Sequence, residues 1–192
     1  MKKLIKIKIN RGMTYVELIV VLSIFSVLSS VVIFNYGNFQ DRVDIKNLAS
    51  DIALKVVEAQ KSSLSGLLPL SGGYPANWKP SYGVYFDVTE PKFIYYVDLN
   101  NANGYEAGIG EELDTLSITK NNYISRIDSY LNSTPTQVIN PLSIAFKRPD
   151  SSAIFISNGL SSNFDYIQIT IASPKGVTAL IKLYPSGRVQ IN

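Results

Sequence analysis

The longest hydrophobic segment of the chain lies near its N-terminus, between Met13 and Phe34. Its 22 residues carry a single charged side chain, that of Glu17. Because an α-helix rises by about 1.5 Å per residue, a helix of this length matches the roughly 30 Å hydrocarbon core of a lipid bilayer. The pattern therefore predicts a helix that can cross a membrane, over residues 13–36.

A second helical pattern follows, over residues 37–65. Apolar side chains recur there at spacings of three and four, and charged side chains occupy the other faces, which is typical of a helix with one buried side. Because Gly37 weakens a helix by about 1 kcal/mol relative to alanine, we expect a bend or a locally melted turn over residues 35–38. The apolar stripe that must be covered comprises Ile45, Leu48, Ala49, Ile52, Ala53, Val56 and Ala59.

The remainder of the chain, residues 66–192, has the pattern of a β-rich head domain. A loop rich in Ser, Gly and Pro is followed by short runs of β-branched and aromatic residues, with predicted hairpin turns at 89–92 and 185–187. A long helix followed by many strands, without alternation, favours an α+β fold in which an antiparallel β-sheet head packs on the helix. The predicted strands are 82–88, 93–98, 115–119, 123–127, 143–146, 153–156, 166–172, 177–184 and 188–191.

The composition narrows the possible functions. The chain has no His and no Cys, so it lacks the commonest general base, a thiol nucleophile and the means to form a disulfide. We therefore do not expect an enzyme, although Asp and Glu chemistry stays open. Five of the 18 Lys and Arg residues precede Gly12, which leaves 13 cations against 15 acids, a net charge of −2, in the rest of the chain. That balance predicts no nucleic-acid partner.

The five cations before the hydrophobic segment form a basic leader, residues 1–12. An excess of Lys and Arg holds such a segment on the cytoplasmic side of a membrane, so the residues after the helix are expected outside. An acid in a membrane helix costs up to about 3 kcal/mol at the bilayer centre, which indicates a partner for Glu17. Cleavage after Gly12 would create one. The new amine of Met13 would lie at the positive end of the helix dipole, where a nearby carboxylate is favourable, and in an assembly Glu17 can pair with the Met13 amine of a neighbouring subunit.

Gly12 followed by Met-Thr-Tyr-Val-Glu and the apolar run resembles the class III signal of type IV pilins and type II secretion pseudopilins. The resemblance covers about residues 2–39, and Met13 stands where Phe is commonest in the family. Two further segments, Trp78 to Asp87 and the terminal strand-Gly-strand, are similar to the H-type minor pseudopilin branch.

The resemblance implies a pilin-like fold and a structural role in a type IV pilus or pseudopilus. A prepilin peptidase would cut after Gly12 and methylate Met13. The partners would be other pilin subunits, an inner-membrane assembly platform and, before assembly, the lipid bilayer. The chain would first be a single-pass inner-membrane protein with its head outside, and then part of a periplasmic or cell-surface filament.

Three simpler interpretations of the N-terminal segment stay open. Thr14 and Glu17 have the spacing of a capping box, in which the carboxylate only satisfies backbone N–H groups. A simple uncleaved signal anchor would hold an exported adhesion or ligand-binding domain and leave the leader on the mature protein. An ordinary secretory signal peptide should have its cleavage site after the apolar run, where residues 35–38 are a poor site.

One loop has the composition of a cation site. Oxygen-bearing side chains alternate over residues 98–114 around Gly104, as in loops that bind Ca²⁺ through about six to eight oxygens. The Gly and the distal Glu are displaced from the EF-hand pattern, and a solvated acidic turn is the alternative. Pilin-like proteins of the secretion type use calcium in their heads, which supports the hypothesis. The candidate ligands are Asp98, Asn100, Asn103, Glu106 and Glu112.

Overall fold

The computed structural model describes residues 12–68, 78–79, 81–102 and 104–192. In this part of the chain one helix is followed by ten strands, and every paired strand is antiparallel to its neighbour. This arrangement confirms the predicted α+β class. The elements are α1 Tyr15–Ser65, β1 Ser81–Phe86, β2 Lys92–Asp98, β3 Glu112–Ser117, β4 Tyr123–Leu131, β5 Thr134–Val138, β6 Leu142–Lys147, β7 Ala153–Ile156, β8 Tyr166–Ala172, β9 Thr178–Leu183 and β10 Val189–Ile191.

The helix α1 contributes to two compact units of the chain, Met1–Gln40 and Asp41–Asn192. Residues 35–38 are helical, so the predicted melted turn is wrong; a cost of about 1 kcal/mol for one glycine is small beside the bonds of a long helix. At its C-terminus the N–H groups of Gly66 and Leu67 donate to the carbonyls of Ser63 and Ser62, each at 3.1 Å. This Schellman motif requires the left-handed φ of 65° that Gly66 adopts.

The strands of the second unit form two five-stranded sheets. Sheet 1 has the order β3-β2-β1-β6-β7, and sheet 2 has the order β10-β9-β8-β4-β5. Both predicted hairpins are present, with Phe86 opposite Phe93 and Val189 opposite Leu183. The antiparallel head is therefore divided between two sheets, which the sequence did not indicate, because alternation along one strand specifies its buried face and not its partner.

The sequence pattern does not predict β5. Asn132 and Ser133, with φ of 49° and 64°, form the two-residue turn that precedes it. Such turns are usually marked by Asn-Gly, so Asn-Ser is a weaker signal. Pro135 also argues against a strand, but β5 is the edge of sheet 2, and the pairing shifts register beside this proline.

The apolar stripe of α1 is buried in a core to which both sheets contribute. Leu48 packs against this core with its side chain partly exposed, and Ala53 lies at the margin of the stripe. Burial of one Ile or Val side chain stabilises a fold by about 1.5–3 kcal/mol, so this face attaches the helix to the head. The members of the stripe that are no more than 1% exposed are Ile45, Ala49, Ile52, Val56 and Ala59.

Three ion pairs connect the same part of α1 to the head. They are partly exposed, so each contributes about 0.2–1 kcal/mol and mainly orients the helix. The pairs are Lys175 Nζ to Asp41 Oδ2 at 2.9 Å, Lys120 Nζ to Asp44 Oδ1 at 2.6 Å and Lys55 Nζ to Asp114 Oδ2 at 3.1 Å.

Gly83 of β1 leaves no room for a side chain. A Cβ at this position would lie 2.5 Å from the carbonyl oxygen of Ile144 and 2.5 Å from the ring of Tyr96. We expect Gly83→Ala to lower the free energy of unfolding by about 1–3 kcal/mol, because overpacking displaces backbone and side chains. Urea unfolding of the full chain in detergent, followed through Trp78, the single tryptophan, measures this loss.

The matched control is Gly104→Ala. A Cβ at Gly104 would lie 3.7 Å from Ile156, which is an ordinary contact. Equal losses in the two variants would contradict the proposed steric cause.

Candidate functional site

The residues that the sequence marks for processing lie just before α1. Gly12 and Met13 are exposed and precede the first helical residue, Tyr15. The N–H of Glu17 donates to Thr14 Oγ1 at 3.2 Å, and the N–H of Thr14 donates to Glu17 Oε2 at 3.4 Å. These reciprocal bonds are a capping box, which fixes the start of the helix. The peptide bond between Gly12 and Met13 therefore lies outside the helix.

The capping interpretation of Glu17 is thus confirmed as one role of this side chain. Caps of this kind stabilise a helix by about 0.5–2 kcal/mol. The bond to Thr14 uses Oε2, and a carboxylate accepts at either oxygen, so Oε1 is left to accept from a second donor. Capping and pairing with an amine are therefore compatible at one carboxylate.

The hydrophobic segment of α1 is uncovered by the described chain. Its large apolar side chains, from Leu18 to Phe34, are between 45% and 81% exposed. The hydroxyls of Ser23 and Ser26 donate to helix carbonyls at 2.8 Å, so they need no outside partner. The helix is long and apolar enough to cross a membrane, and none of its most apolar window is buried. Soluble monomers rarely expose an apolar surface of this extent.

The candidate cation ligands after β2 are only partly brought together. Asp98 is fully buried, and its Oδ1 accepts from the N–H of Ala102 at 3.2 Å. Asn100 Oδ1 accepts from the same N–H at 2.8 Å, and its amide donates to Glu106 Oε2 at 3.0 Å. These three candidates form one hydrogen-bonded turn.

Of the other two candidates, Glu112 is described by the structure and does not join this turn. Glu112 lies on β3, and its carboxylate accepts a hydrogen bond from the hydroxyl of Tyr105. Asn103 lies outside the described residues. Among the residues that are described, no three His, Cys, Asp or Glu side chains are grouped so as to hold a metal ion. The calcium site stays a prediction.

The residue that connects the loop is Glu111, one position before the predicted ligand Glu112. Its side chain is fully buried, and Oε1 accepts from the N–H of Leu99 at 3.1 Å while Oε2 accepts from the N–H of Glu106 at 2.8 Å. One carboxylate therefore joins both arms of the loop. Sequence alone does not distinguish the two adjacent glutamates, because the start of β3 decides which of them points inward.

Burial raises the pKa of Glu111 above its ordinary value of 4.5. The N–H groups of Glu106 and Leu99 act in the opposite direction, and the negative charges of Asp98 and Glu106 add to the increase. The folded loop therefore holds a proton on this carboxyl more tightly than the unfolded chain does.

Comparison with family models, with curated proteins and with solved structures found no match to this chain. The basis for a function is therefore the geometry of two features. One is the uncovered apolar helix with its capping box, and the other is the loop that Glu111 connects.

We expect Glu111→Gln to remove part of the pH dependence of stability. Because the folded-state pKa of Glu111 is raised, its contribution is fully present below the unfolded value of 4.5 and is lost as pH rises through the folded-state pKa. The free energy of unfolding of the wild type should therefore fall, relative to the variant, across this window. Urea unfolding of the full chain from about pH 4 to about pH 8 measures the difference.

The matched control is Glu112→Gln, which changes an exposed carboxylate on the next residue. Its difference from the wild type should not follow the same pH window. A pH-independent difference between the wild type and Glu111→Gln would contradict the raised pKa.

Proposed function

We propose that this chain is a structural subunit of a type IV pilus or pseudopilus, processed after Gly12 by a prepilin peptidase and assembled through the hydrophobic part of α1. The proposal rests on the arrangement of residues at the start of α1. An apolar helix without cover has one acid, Glu17, in its first turn, and the Gly12–Met13 peptide lies just outside that helix.

Cleavage after Gly12 would change the charge of this end. It releases a new amine on Met13, which is cationic at neutral pH. The N-terminus of a helix carries a partial positive charge, so the amine is unfavourable there unless a carboxylate is near. Glu17 supplies that carboxylate, and Oε1 is the oxygen that the capping box leaves for the Met13 amine of a neighbouring subunit.

Assembly would replace one apolar environment by another. In the precursor, lipid covers the helix, and the basic leader keeps the N-terminus cytoplasmic and the head outside. In the filament, the helices of neighbouring subunits cover one another, and the Met13–Glu17 pair sets their axial register. The partners are other subunits, the peptidase, the inner-membrane assembly platform and the bilayer.

Gly12→Leu tests the processing step. A bulky residue at the cleavage site should block the peptidase, so the variant should stay at the larger size of the precursor on a denaturing gel. Gly37→Leu is the matched control, because it makes the same change beyond the cleavage site. Normal cleavage of Gly12→Leu would contradict the proposed site and favour a simple signal anchor.

The variants Glu17→Ala and Glu17→Gln separate the two roles of this carboxylate. A glutamine side chain can complete a capping box but carries no charge. If the charge pairs with a Met13 amine, both variants should be cut normally and both should lose filaments, which electron microscopy of cell-surface or periplasmic fractions measures. Filaments at wild-type level in Glu17→Gln would show that capping alone is required.

A further inference from the structure

The exposed surface of α1 within the unit Asp41–Asn192 divides into two flanks of opposite charge. Residues seven apart lie on nearly the same face of an α-helix, and three acids follow this spacing. The opposite side carries two cations beside exposed apolar side chains. The acidic flank comprises Asp44, Asp51 and Glu58 of α1 with Asp114 of β3. The basic flank comprises Arg42, Lys46, Ala53, Leu54 and Val57 of α1 with Val189 and Ile191 of β10.

The acidic flank carries an excess of negative charge. Lys55 Nζ lies 3.0 Å from Glu58 Oε2 and 3.1 Å from Asp114 Oδ2. Lys120 Nζ lies 2.6 Å from Asp44 Oδ1. Two lysines therefore accompany the four acids of this flank, which leaves a net charge of −2. Charges of this kind raise the affinity for a basic surface and its rate of association.

The basic flank is a groove with an apolar floor. A volume of about 670 Å³ lies beside Arg42 and Lys46, and a volume of about 390 Å³ continues it beside Leu54. Ser50 and Ile191 line both, so the groove is continuous between α1 and the edge strand β10. Leu54 is 64% exposed. Neither cation forms an ion pair with any residue that the structure describes.

We propose that the basic flank of one copy binds the acidic flank of a second copy of this chain. The proposal rests on the filament function above and adds the contact between heads. The two flanks lie on opposite sides of one helix, so each copy presents one flank to each neighbour. A contact between two different surfaces of identical chains repeats without closing unless its rotation forms a ring, as a filament requires.

Charge also decides the mode of association. A two-fold contact centred on one flank would place that flank against itself, with Arg42 and Lys46 near the same cations, or the acids near the same acids. Like charges brought together in an interface cost several kcal/mol. Contact between the basic flank of one copy and the acidic flank of the next instead pairs cations with acids, and it also covers Leu54.

Introduced cysteines test this contact cleanly, because the chain has no Cys of its own. Ser50 lines the basic groove, and Ser117 of β3 lines the cavity beside Asp44 and Asp51 on the acidic flank; both are exposed and uncharged. Full-length Ser50→Cys and Ser117→Cys copies with different tags are made in the same cells and treated with a short bis-maleimide. We expect cross-links between the two kinds of copy and few between like copies. Predominant cross-linking of like copies would overturn the proposal.

Charge reversal supplies the second measurement. Lys46→Glu in the Ser50→Cys copy should reduce the cross-link by roughly tenfold, and Asp51→Lys in the Ser117→Cys copy should restore it. Restoration shows that the single reversal had not unfolded the head. A cross-link that Lys46→Glu leaves unchanged, as expected if the cations bind lipid head groups, would overturn the proposal. Asn158→Cys, in the exposed turn after β7, is the control for random collision.

The same gel also shows whether the leader has been removed. It therefore distinguishes failure of the proposed head contact from failure of the proposed filament function. Copies that have lost the leader but form no cross-link between Ser50→Cys and Ser117→Cys would overturn the head contact alone. Copies that keep the leader would overturn the proposed function as well. The tag is placed after the C-terminus so that both sizes are visible.

Discussion

The exposed apolar surface of the first part of α1 is the constraint on which the rest depends. Soluble monomers rarely expose contiguous apolar patches larger than a few hundred Å², but every large side chain from Leu18 to Phe34 is in contact with solvent unless something else covers it. The hydroxyls of Ser23 and Ser26 donate to carbonyls of the same helix, so these two serines add little polar character to the surface. A bilayer or a bundle of like helices is the environment that such a surface fits. In the proposed function, lipid covers the helix before assembly and neighbouring helices cover it in the filament.

In the head, by contrast, the chain itself covers the apolar face of α1. The head's part of α1 buries the Ile45 to Ala59 stripe under two sheets, and the head needs no disulfide, because core packing and a few ion pairs hold the helix. Glu111 has a comparable role in the loop after β2, where one buried carboxylate binds two backbone N–H groups. A carboxylate is costly to bury, which explains why the pKa of Glu111 is raised. Its two hydrogen bonds to backbone N–H groups hold the two arms of the loop together.

Periodicity predicts much of this fold. The stripe on α1, the two hairpins and the strands Ala153–Ile156 and Tyr166–Ala172 follow from local pattern. Pairing between distant strands does not, which is why the division into two sheets and the edge strand with Pro135 are not visible in the sequence. At the sites, the spacing of Thr14 and Glu17 is enough to predict the capping box. The inward glutamate of the loop depends on the register of β3, so local spacing does not distinguish Glu111 from the predicted ligand Glu112.

The central claim is that this helix acquires a charged N-terminus by proteolysis and then pairs it with Glu17 of a neighbour. Mass spectrometry of the N-terminal peptide of the exported protein tests it most directly, since one spectrum reports both the cut and the modification. The account predicts a chain that begins at Met13 and carries one added methyl group. An exported protein that still begins with the lysine-rich residues 1–12 would contradict it.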